Sequence, residues 1–201
     1  MDIGTEMALS AKAQKTARRY LGSDALGYEA KRAGQAKWLG EDRAVKAALV
    51  DLPKGAKVLD CPCGTGRFFG FAAESGLEML GVDVSPDMIK IAVAKPDATA
   101  QVGSIFDLPF DDGRFDAALA IRFMNLIEPE DVRLALAELQ RVARKVIFTL
   151  RVRQRNPSGH YHSAHPVSLV ERSLAPGWSI GANEPVHQED YRLATLCAGS
   201  T

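Results

Sequence analysis

Residues 58–70 (VLDCPCGTGRFFG) constrain the fold of this chain more than any other stretch. An apolar strand ends in an acid, Asp60, and continues as a loop with glycine at two alternate positions, Gly64 and Gly66. The Phe- and Ala-rich segment that follows is typical of a helix, whose N-terminus would offer unpaired N–H groups to a ligand. Because glycine lacks a Cβ atom, the loop can take positive φ angles and let a ligand lie against its backbone. The order of strand, glycine-rich turn and helix predicts a nucleotide-binding α/β unit.

Two details of this stretch argue against a dinucleotide cofactor. The dinucleotide fingerprint has a third glycine three residues after the second, and Phe69 stands there instead. Asp60, at the end of the strand, offers a carboxylate to a ligand that carries a positive amino group. S-adenosylmethionine (SAM) has such an ammonium and no phosphate. The glycine pair alone is a weak signal, and a dinucleotide-dependent oxidoreductase is a distant alternative.

The composition is that of an ordinary globular protein with one core. The chain has 201 residues, of which 46% are hydrophobic and 25% are charged. Its 25 basic and 25 acidic residues cancel, so no overall field favours nucleic acid or an anionic membrane. No apolar run approaches the roughly 20 residues that cross a bilayer, and the N-terminus lacks the pattern of a secretion signal. Three cysteines suggest no disulfide framework, so we expect a cytoplasmic protein.

One domain in three parts is expected for residues 1–201. Residues 1–50 would form an N-terminal helical flap, residues 51–150 a cofactor-binding half and residues 151–201 a substrate-side tail. Four glycines are expected to divide the Ala-rich flap into short helices, namely Gly22, Gly27, Gly34 and Gly40. The flap also carries Tyr28 and Trp38, which would either anchor its helices to the sheet or cover the substrate.

A second strand with an acid at its end follows the central stretch. Residues 79–83 (MLGVD) are apolar up to Asp83, which lies seventeen positions after Gly66. This spacing is close to the one at which a strand-end carboxylate binds a ribose, since two acceptor oxygens match two vicinal hydroxyls. Ser85 and Pro86 then predict the start of a helix, as an N-cap and a proline at the first helical position.

Strands and helices alternate through the rest of the chain as far as residue 150. Strands are predicted at residues 98–102, 115–121 and 146–150, and an amphipathic helix opens at Glu128. This alternation implies right-handed crossovers and a parallel sheet. Beyond it we expect a basic loop at residues 151–165 and a short helix at residues 166–174. Two strands paired antiparallel at the end of the sheet are expected at residues 178–180 and 191–196.

Four motifs together resemble class I SAM-dependent methyltransferases, especially the small-molecule type similar to those of ubiquinone and menaquinone biosynthesis. They are VLDCPCGTGR at 58–67, GVDVSPDM at 81–88, LPF and FD at 108–110 and 115–116, and ELQRV at 138–142. The resemblance runs over nearly the whole chain past the N-terminal helices. It implies a Rossmann-like, doubly wound α/β fold whose seven-stranded sheet is mostly parallel, with the last strand antiparallel and helices on both faces.

The resemblance also implies which residues bind SAM. The methionine part of SAM would be held by Asp60, Gly64 and Gly66, and the ribose hydroxyls by Asp83. The adenine would contact Ser104 and Ile105, and the sulfonium side would be lined by Ile121 and Arg122. Further cofactor contacts are expected on the same motifs and on the adenine loop, at Cys63, Thr65, Arg67, Val84, Met88 and Phe106.

Two positions depart from the family pattern. The family usually has an acid after the glycine that opens the adenine loop, where this chain has Ser104. A hydroxyl can accept the same hydrogen bond from the adenine amino group, but more weakly than a carboxylate. Relatives often carry histidines where this chain has Asn125 and Leu126, which removes an obvious base near the acceptor.

Methyl transfer from a sulfonium needs alignment more than a fixed catalytic motif, because SAM supplies the reactivity. The side chains expected to face the acceptor are Arg122, Asn125, Tyr28, His160, His162 and His165. A histidine base would suit an oxygen acceptor such as a phenol, although we favour solvated loop histidines. The arginines of the basic loop could steer an anionic substrate, but we favour a solvated strand end for Arg151, Arg153 and Arg155.

No metal is expected, because Cys61 and Cys63 lack a second Cys/His pair that would complete a zinc site. Three functions remain open. The leading one is an enzyme that methylates an oxygen, nitrogen or carbon atom of a small molecule. The second is an RNA or protein methyltransferase, which the neutral charge disfavours. The third is a non-catalytic SAM-binding regulatory subunit, which the intact acids Asp60 and Asp83 disfavour.

Overall fold

The computed structural model describes residues 27–153 and 163–199. Its strands are β1 Lys57–Asp60, β2 Glu78–Asp83, β3 Thr99–Val102, β4 Ala117–Ala120, β5 Lys145–Arg151, β6 Trp178–His187 and β7 Tyr191–Ala198. Its α-helices are α1 Ala36–Leu49, α2 Phe69–Glu74, α3 Pro86–Ala92, α4 Pro129–Val142 and α5 Val167–Glu171, and a 3₁₀ turn covers Met124–Leu126. No helix within the described ranges has the length and apolar character that crossing a membrane requires.

Within the described residues, seven strands form one sheet in the order β3-β2-β1-β4-β5-β7-β6. Strands β1–β5 are parallel to one another, and β7 lies antiparallel between β5 and β6. The chain winds outward from β1 to β3 on one side and then from β4 onward on the other. Ligands of open α/β sheets bind where the winding direction changes, which here is the carboxyl edge between β1 and β4. The predicted Rossmann-like fold is confirmed.

The core lies on both faces of the central strands. All four residues of β4 are buried, as are the five central residues of β5, because helices cover the sheet on both sides. The apolar face of α4, which includes Leu136 and Leu139, packs against one side together with Phe148. Leu49 of α1 packs into the cluster on the other side. Strand β4, which borders the switch point, is therefore packed on both faces.

The ELQRV motif on α4 fastens the segment that leads from β3 into β4. Glu138 accepts a hydrogen bond from the Leu108 amide at 2.9 Å. Arg141 donates to the carbonyl oxygens of Leu108 and Phe110 at 2.9 and 2.7 Å, and it also pairs with Glu138. The hydrogen bond from Arg141 holds the pKa of Glu138 below its usual range. The contacts of this motif are structural, and they fix the course of the chain beside the adenine loop.

One boundary of the predicted helices is wrong. Gly40 does not divide the flap but lies inside α1, where a Cβ atom would come within 2.1 Å of the carbonyl oxygen of Val186. The backbone of α1 approaches that of β6 so closely at this point that only glycine fits. The helix after the glycine-rich loop, α2, has only six residues, so its dipole offers little to an anion. The predicted pieces before residue 27 lie outside the described residues.

The last strand pair is longer than the pattern predicts. The expected strand at 178–180 extends to His187, with irregular register between Ile180 and Ala182 and between Pro185 and His187. Bulges of this kind interrupt the alternation of side chains by which a strand is recognised in a sequence. The predicted antiparallel pairing of the two final strands is confirmed.

Candidate active site

Two predicted acids and a predicted arginine meet at the carboxyl edge of the sheet. Asp60 ends β1 and Asp83 ends β2, and the two side chains are only 2% and 7% exposed. In the sheet register Asp60 lies beside Leu119 of β4, and Arg122 follows the end of that strand. The winding direction changes between β1 and β4, so these residues stand at the place where the fold binds ligands.

The glycine-rich loop is bound to the end of β2 through Asp83. Gly64 and Gly66 have φ angles of 54° and 74°, which glycine adopts without steric cost. The Gly64 amide donates to one carboxylate oxygen of Asp83 at 2.9 Å, and the Ser85 amide donates to the other at 2.9 Å. The second acid of the sequence pattern therefore shapes the loop as well as offering acceptors to a ligand.

Phe69 stands at the position of the missing third glycine. Its ring fills the space that the absent side chains of Gly66 and Gly81 leave. A Cβ atom on Gly66 would lie 2.7 Å from the ring of Phe69, and one on Gly81 of β2 would lie 2.6 Å from it. A third glycine in dinucleotide-binding folds allows the helix to approach the strand. In this chain the small residue is on the strand, and the aromatic ring is on the helix. Gly81 opens the GVDVSPDM motif, but its contact with Phe69 could not be predicted from the sequence.

Burial controls the ionisation of both acids. Burial, followed by the negative charge of Asp83, raises the pKa of Asp60 to about 8. Burial also raises the pKa of Asp83, although hydrogen bonds from backbone amides oppose this shift. Among the described residues, none donates a hydrogen bond to the Asp60 carboxyl group. A positive ligand group beside Asp60 would favour its ionised form.

Burial likewise raises the pKa of the thiols of Cys61 and Cys63. Cys63 lies beneath the loop, with its sulfur 2.8 Å from the place where Gly81 would carry a Cβ atom. In the described part of the chain, no group of three His, Cys, Asp or Glu residues could hold a metal ion. The two cysteines fill space under the loop.

A strap formed by residues 27–35 lies over the glycine-rich loop. Glu29 accepts hydrogen bonds from Thr65 and from Lys95, at 2.5 and 2.7 Å, and Lys95 also donates to the carbonyl oxygen of Gly66 at 3.0 Å. Glu29 and Lys95 escaped the sequence interpretation because their partners are 36 and 66 positions away in the chain. The Thr65 hydroxyl, a predicted cofactor contact, is engaged by the strap.

Arg67 links the loop to α1. Its guanidinium donates to Glu41 at 3.1 Å and to the Trp38 carbonyl oxygen, and it stacks on the Trp38 ring at 3.5 Å from the centroid. Trp38 is buried, which agrees with an anchoring role for this aromatic residue. Tyr28 packs edge-on against it with 6.3 Å between ring centroids. A direct contact of Arg67 with the cofactor stays a prediction.

Arg122 has an unusual backbone conformation at the end of β4. Its φ angle is 64°, which is uncommon for a residue with a side chain and is typical of functional sites. Its amide donates to the Thr149 hydroxyl at 2.7 Å, which also accepts a hydrogen bond from Tyr191 at 2.8 Å. Its guanidinium binds Glu41 at 3.1 Å. Backbone and side chain are thus held by separate elements, and the sequence pattern missed Glu41, Thr149 and Tyr191.

The predicted cofactor contacts on the adenine loop and after β2 differ in accessibility. Ser104 is half-buried, and its hydroxyl accepts a hydrogen bond from the Phe106 amide at 3.2 Å. Phe106 is partly exposed beside Phe123, with 6.1 Å between ring centroids. Ile105 and Met88 are buried in the core. Phe106 is partly buried, and Val84 lies at the surface. Their contacts with a cofactor stay predictions.

The candidates to face the acceptor are in different environments. Asn125 is buried in the 3₁₀ turn, and its main-chain carbonyl oxygen accepts a hydrogen bond from the Ser163 amide. The expectation of a solvated loop residue is wrong for His165, which is buried with Nε2 2.9 Å from the Met124 carbonyl oxygen. His160 and His162 lie outside the described residues. Ile121 is half-buried against the cluster under α1.

Comparison with known proteins agrees with this geometry. Residues 58–145 match the model of a family described as a methyltransferase domain. The chain is 34% identical over 104 residues to a demethylmenaquinone methyltransferase of Paenarthrobacter aurescens, covering 51% of this chain and 40% of that protein. It is 36% identical over 145 residues to a tRNA (carboxymethyluridine(34)-5-O)-methyltransferase of Xenopus tropicalis, covering 69% of this chain and 23% of that protein.

The fold is shared with a solved methyltransferase structure. The crystal structure of magnesium protoporphyrin IX methyltransferase from Synechocystis, with bound S-adenosylhomocysteine (SAH), superposes with a TM-score of 0.73 at 18% identity, covering 92% of this chain and all of that one. The chain spans less than half the length of each of the two sequence relatives named above. Residues 58–145 thus match a methyltransferase domain, and the sequence motifs, the fold and the relatives agree with a class I SAM-dependent methyltransferase.

Proposed function

We propose that this chain transfers a methyl group from SAM to an oxygen, nitrogen or carbon atom of a small-molecule acceptor, by in-line displacement. The observation that carries the proposal is the pair of buried carboxylates, Asp60 and Asp83, at the ends of adjacent parallel strands. The similarity to a demethylmenaquinone methyltransferase supports a small-molecule acceptor.

The residues present fit SAM as the cofactor. Among the described residues the buried carboxyl group of Asp60 has no hydrogen-bond donor, and an ammonium would supply one with a favourable charge. The Asp83 carboxylate accepts backbone hydrogen bonds from Ser85, Gly64 and Val84, and a carboxylate has about four acceptor positions, which leaves one for a ribose hydroxyl. We assign the ammonium to Asp60, the ribose to Asp83 and the adenine to the loop that begins at Ser104.

The chain's own task in this reaction is alignment and exclusion of water. SAM, when bound, supplies the electrophilic methyl group. Arg122 stays protonated, because the Glu41 carboxylate keeps its pKa above the ordinary value although burial opposes this. It therefore serves as a positioning group and not as a base. The strap and α1 close the site on the side of the glycine-rich loop, which favours transfer to a bound acceptor over water.

A tRNA nucleoside is the second candidate acceptor. The observation that favours it is the similarity to the tRNA methyltransferase of Xenopus tropicalis, which covers more of this chain than the similarity to the menaquinone enzyme. The equal numbers of basic and acidic residues count against it, since binding of nucleic acid depends on excess positive charge.

Calorimetric titration with SAH, with NADH as the control, tests the cofactor assignment. We expect micromolar binding of SAH and no binding of NADH. Incubation with radiolabelled SAM and either phenols and quinol precursors or total tRNA then distinguishes the two acceptor classes. Folded protein that does not bind SAH would refute the proposed function. Label in tRNA alone would replace the small-molecule acceptor with RNA.

Binding of SAH is expected to release close to one proton per site at neutral pH. Asp60 has a folded-state pKa of about 8, raised from 3.8, so it is mostly protonated at pH 7 without a ligand. The ammonium of SAH requires the ionised form, and its binding therefore expels the proton and strengthens as the pH rises toward 8. Binding enthalpies measured in buffers of different ionisation enthalpy give the number of protons released.

Asp60→Asn provides the control for this linkage. Because the raised pKa means that the folded state holds a proton which the unfolded state loses, Asp60 reduces the stability of the ligand-free protein as the pH rises from about 4 to about 8. The asparagine variant should lack this decline, release no proton and bind SAH more weakly. An equal proton release by the variant and the original chain would show that another group titrates.

A further inference from the structure

Positive side chains cluster beside Tyr191 at the carboxyl edge of β4 and β5. Tyr191 is fully buried, and the ammonium of Lys37 lies 3.4 Å from the centroid of its ring. Arg151 lies 5.9 Å from the same centroid. Arg122 is joined to Tyr191 through the Thr149 hydroxyl, to which its amide and the tyrosine hydroxyl both donate. The cluster thus includes Arg122, which is expected to line the sulfonium side of SAM.

The carboxylates of this region are already committed to particular arginines. Glu41 is completely buried and binds both Arg67 and Arg122 at 3.1 Å. Asp190 binds Arg151 at 2.5 Å. Each of the three guanidinium groups thus has a negative partner, and one of those partners is shared.

Lys37 is the exception among these cations. No carboxylate of the described residues lies within ion-pairing distance of its ammonium, whose close partner is the face of the Tyr191 ring. Burial, followed by the positive charges of Arg122 and Arg151, lowers the pKa of Lys37 to about 8, although Glu41 and Asp190 oppose the shift. A half-buried ammonium with excess positive charge around it is a favourable place for an anion.

We propose that Lys37 and Arg122 bind a carboxylate group of the acceptor, so that the substrates of this site are small carboxylic acids. The proposal rests on the proposed function, since it places the carboxylate next to the methyl group to be transferred. Arg151 is left out of this site because Asp190 already binds it, whereas Arg122 shares the Glu41 carboxylate with Arg67 and keeps part of its charge for a ligand. Lys37 would hold the carboxylate as a point charge, and Arg122, fixed by Glu41, would orient it.

Calorimetric titration with benzoate, and with benzamide as its neutral analogue, tests this inference with and without SAH. Benzoate should bind at least about tenfold more tightly than benzamide, as expected for one charge-assisted hydrogen bond in a half-buried site. Equal affinities for the two compounds, or no binding of either, would overturn the proposal. Binding of SAH is measured separately, so a protein that binds benzoate but not SAH refutes the methyltransferase function and not the carboxylate site.

Variants of two lysines on α1 separate a binding role from a structural one. Lys37→Met should bring the affinity for benzoate down to that for benzamide, and Lys37→Arg should restore the preference because it keeps the positive charge. Lys46→Met is the matched control, since Lys46 lies on the same helix but already has a carboxylate partner, Asp42, at 2.8 Å. A benzoate preference that survives in a folded Lys37→Met variant, or that disappears equally in Lys46→Met, would contradict the assignment.

Discussion

Replacement of Asp83 by alanine is expected to lower the affinity for SAH by about 100-fold or more. At least one charge-assisted hydrogen bond to a ribose hydroxyl would be lost from a buried site, worth about 1.5–3 kcal/mol. The same change removes the acceptors of the Gly64 and Ser85 amides, so the glycine-rich loop would also lose its attachment to β2. Both effects act in the same direction, and calorimetric titration of the variant measures their sum.

Asp116→Ala is the matched control for this experiment. Asp116 also accepts a hydrogen bond from a backbone amide, that of Lys57 at 2.9 Å, but it lies at the opposite edge of the sheet. Its replacement should leave the affinity for SAH unchanged. Asp83→Asn, which keeps one acceptor oxygen, should fall between the original chain and Asp83→Ala. Tight binding of SAH by a folded Asp83→Ala variant would contradict the assignment of the ribose to this carboxylate.

The sheet could be predicted because its information is local. Each parallel strand is a short apolar run, and two of them end in an acid at a motif, so β1 and β2 with Asp60 and Asp83 follow from residues close together in the sequence. The carboxyl ends of parallel strands share one edge, and the meeting of these acids was a consequence of topology. The bulged strand β6 could not be predicted in full, because its register depends on pairing with β7.

The closure of the site could not be predicted, because it depends on contacts between distant segments. Glu41 and Arg122 are 81 positions apart, and no pattern in the sequence distinguishes Glu41 from its acidic neighbour Asp42. From the sequence alone, a glutamate on an Ala-rich helix is expected to be exposed to solvent. Only the packing of α1 against the loop and the end of β4 buries it completely. Lys37 escaped for the same reason, since its partner Tyr191 starts the last strand.

Replacement of Glu41 by alanine is expected to cost about 3–5 kcal/mol of the free energy of unfolding, because it leaves buried charges without their partner. The carboxylate is wholly buried, and its removal leaves Arg67 and Arg122 facing each other with their shared counter-charge gone. Glu41→Gln should cost less, because the amide oxygen can still accept a hydrogen bond. Equilibrium unfolding in urea, with the slope of the transition compared between variants, measures these costs.

Asp42→Ala separates burial from charge on the same helix. Asp42 is 28% exposed and lies 3.6 Å from Arg67, with a second contact to Lys46, so its removal should cost less than about 1 kcal/mol. Equal costs for Glu41→Ala and Asp42→Ala would mean that Glu41 is solvated and that α1 does not close the site. A large cost for Glu41→Ala alone, together with weaker binding of SAH by the folded fraction, would show that the cofactor loop depends on this helix. In that case one buried carboxylate holds both α1 and Arg122, the arginine that we propose orients the acceptor.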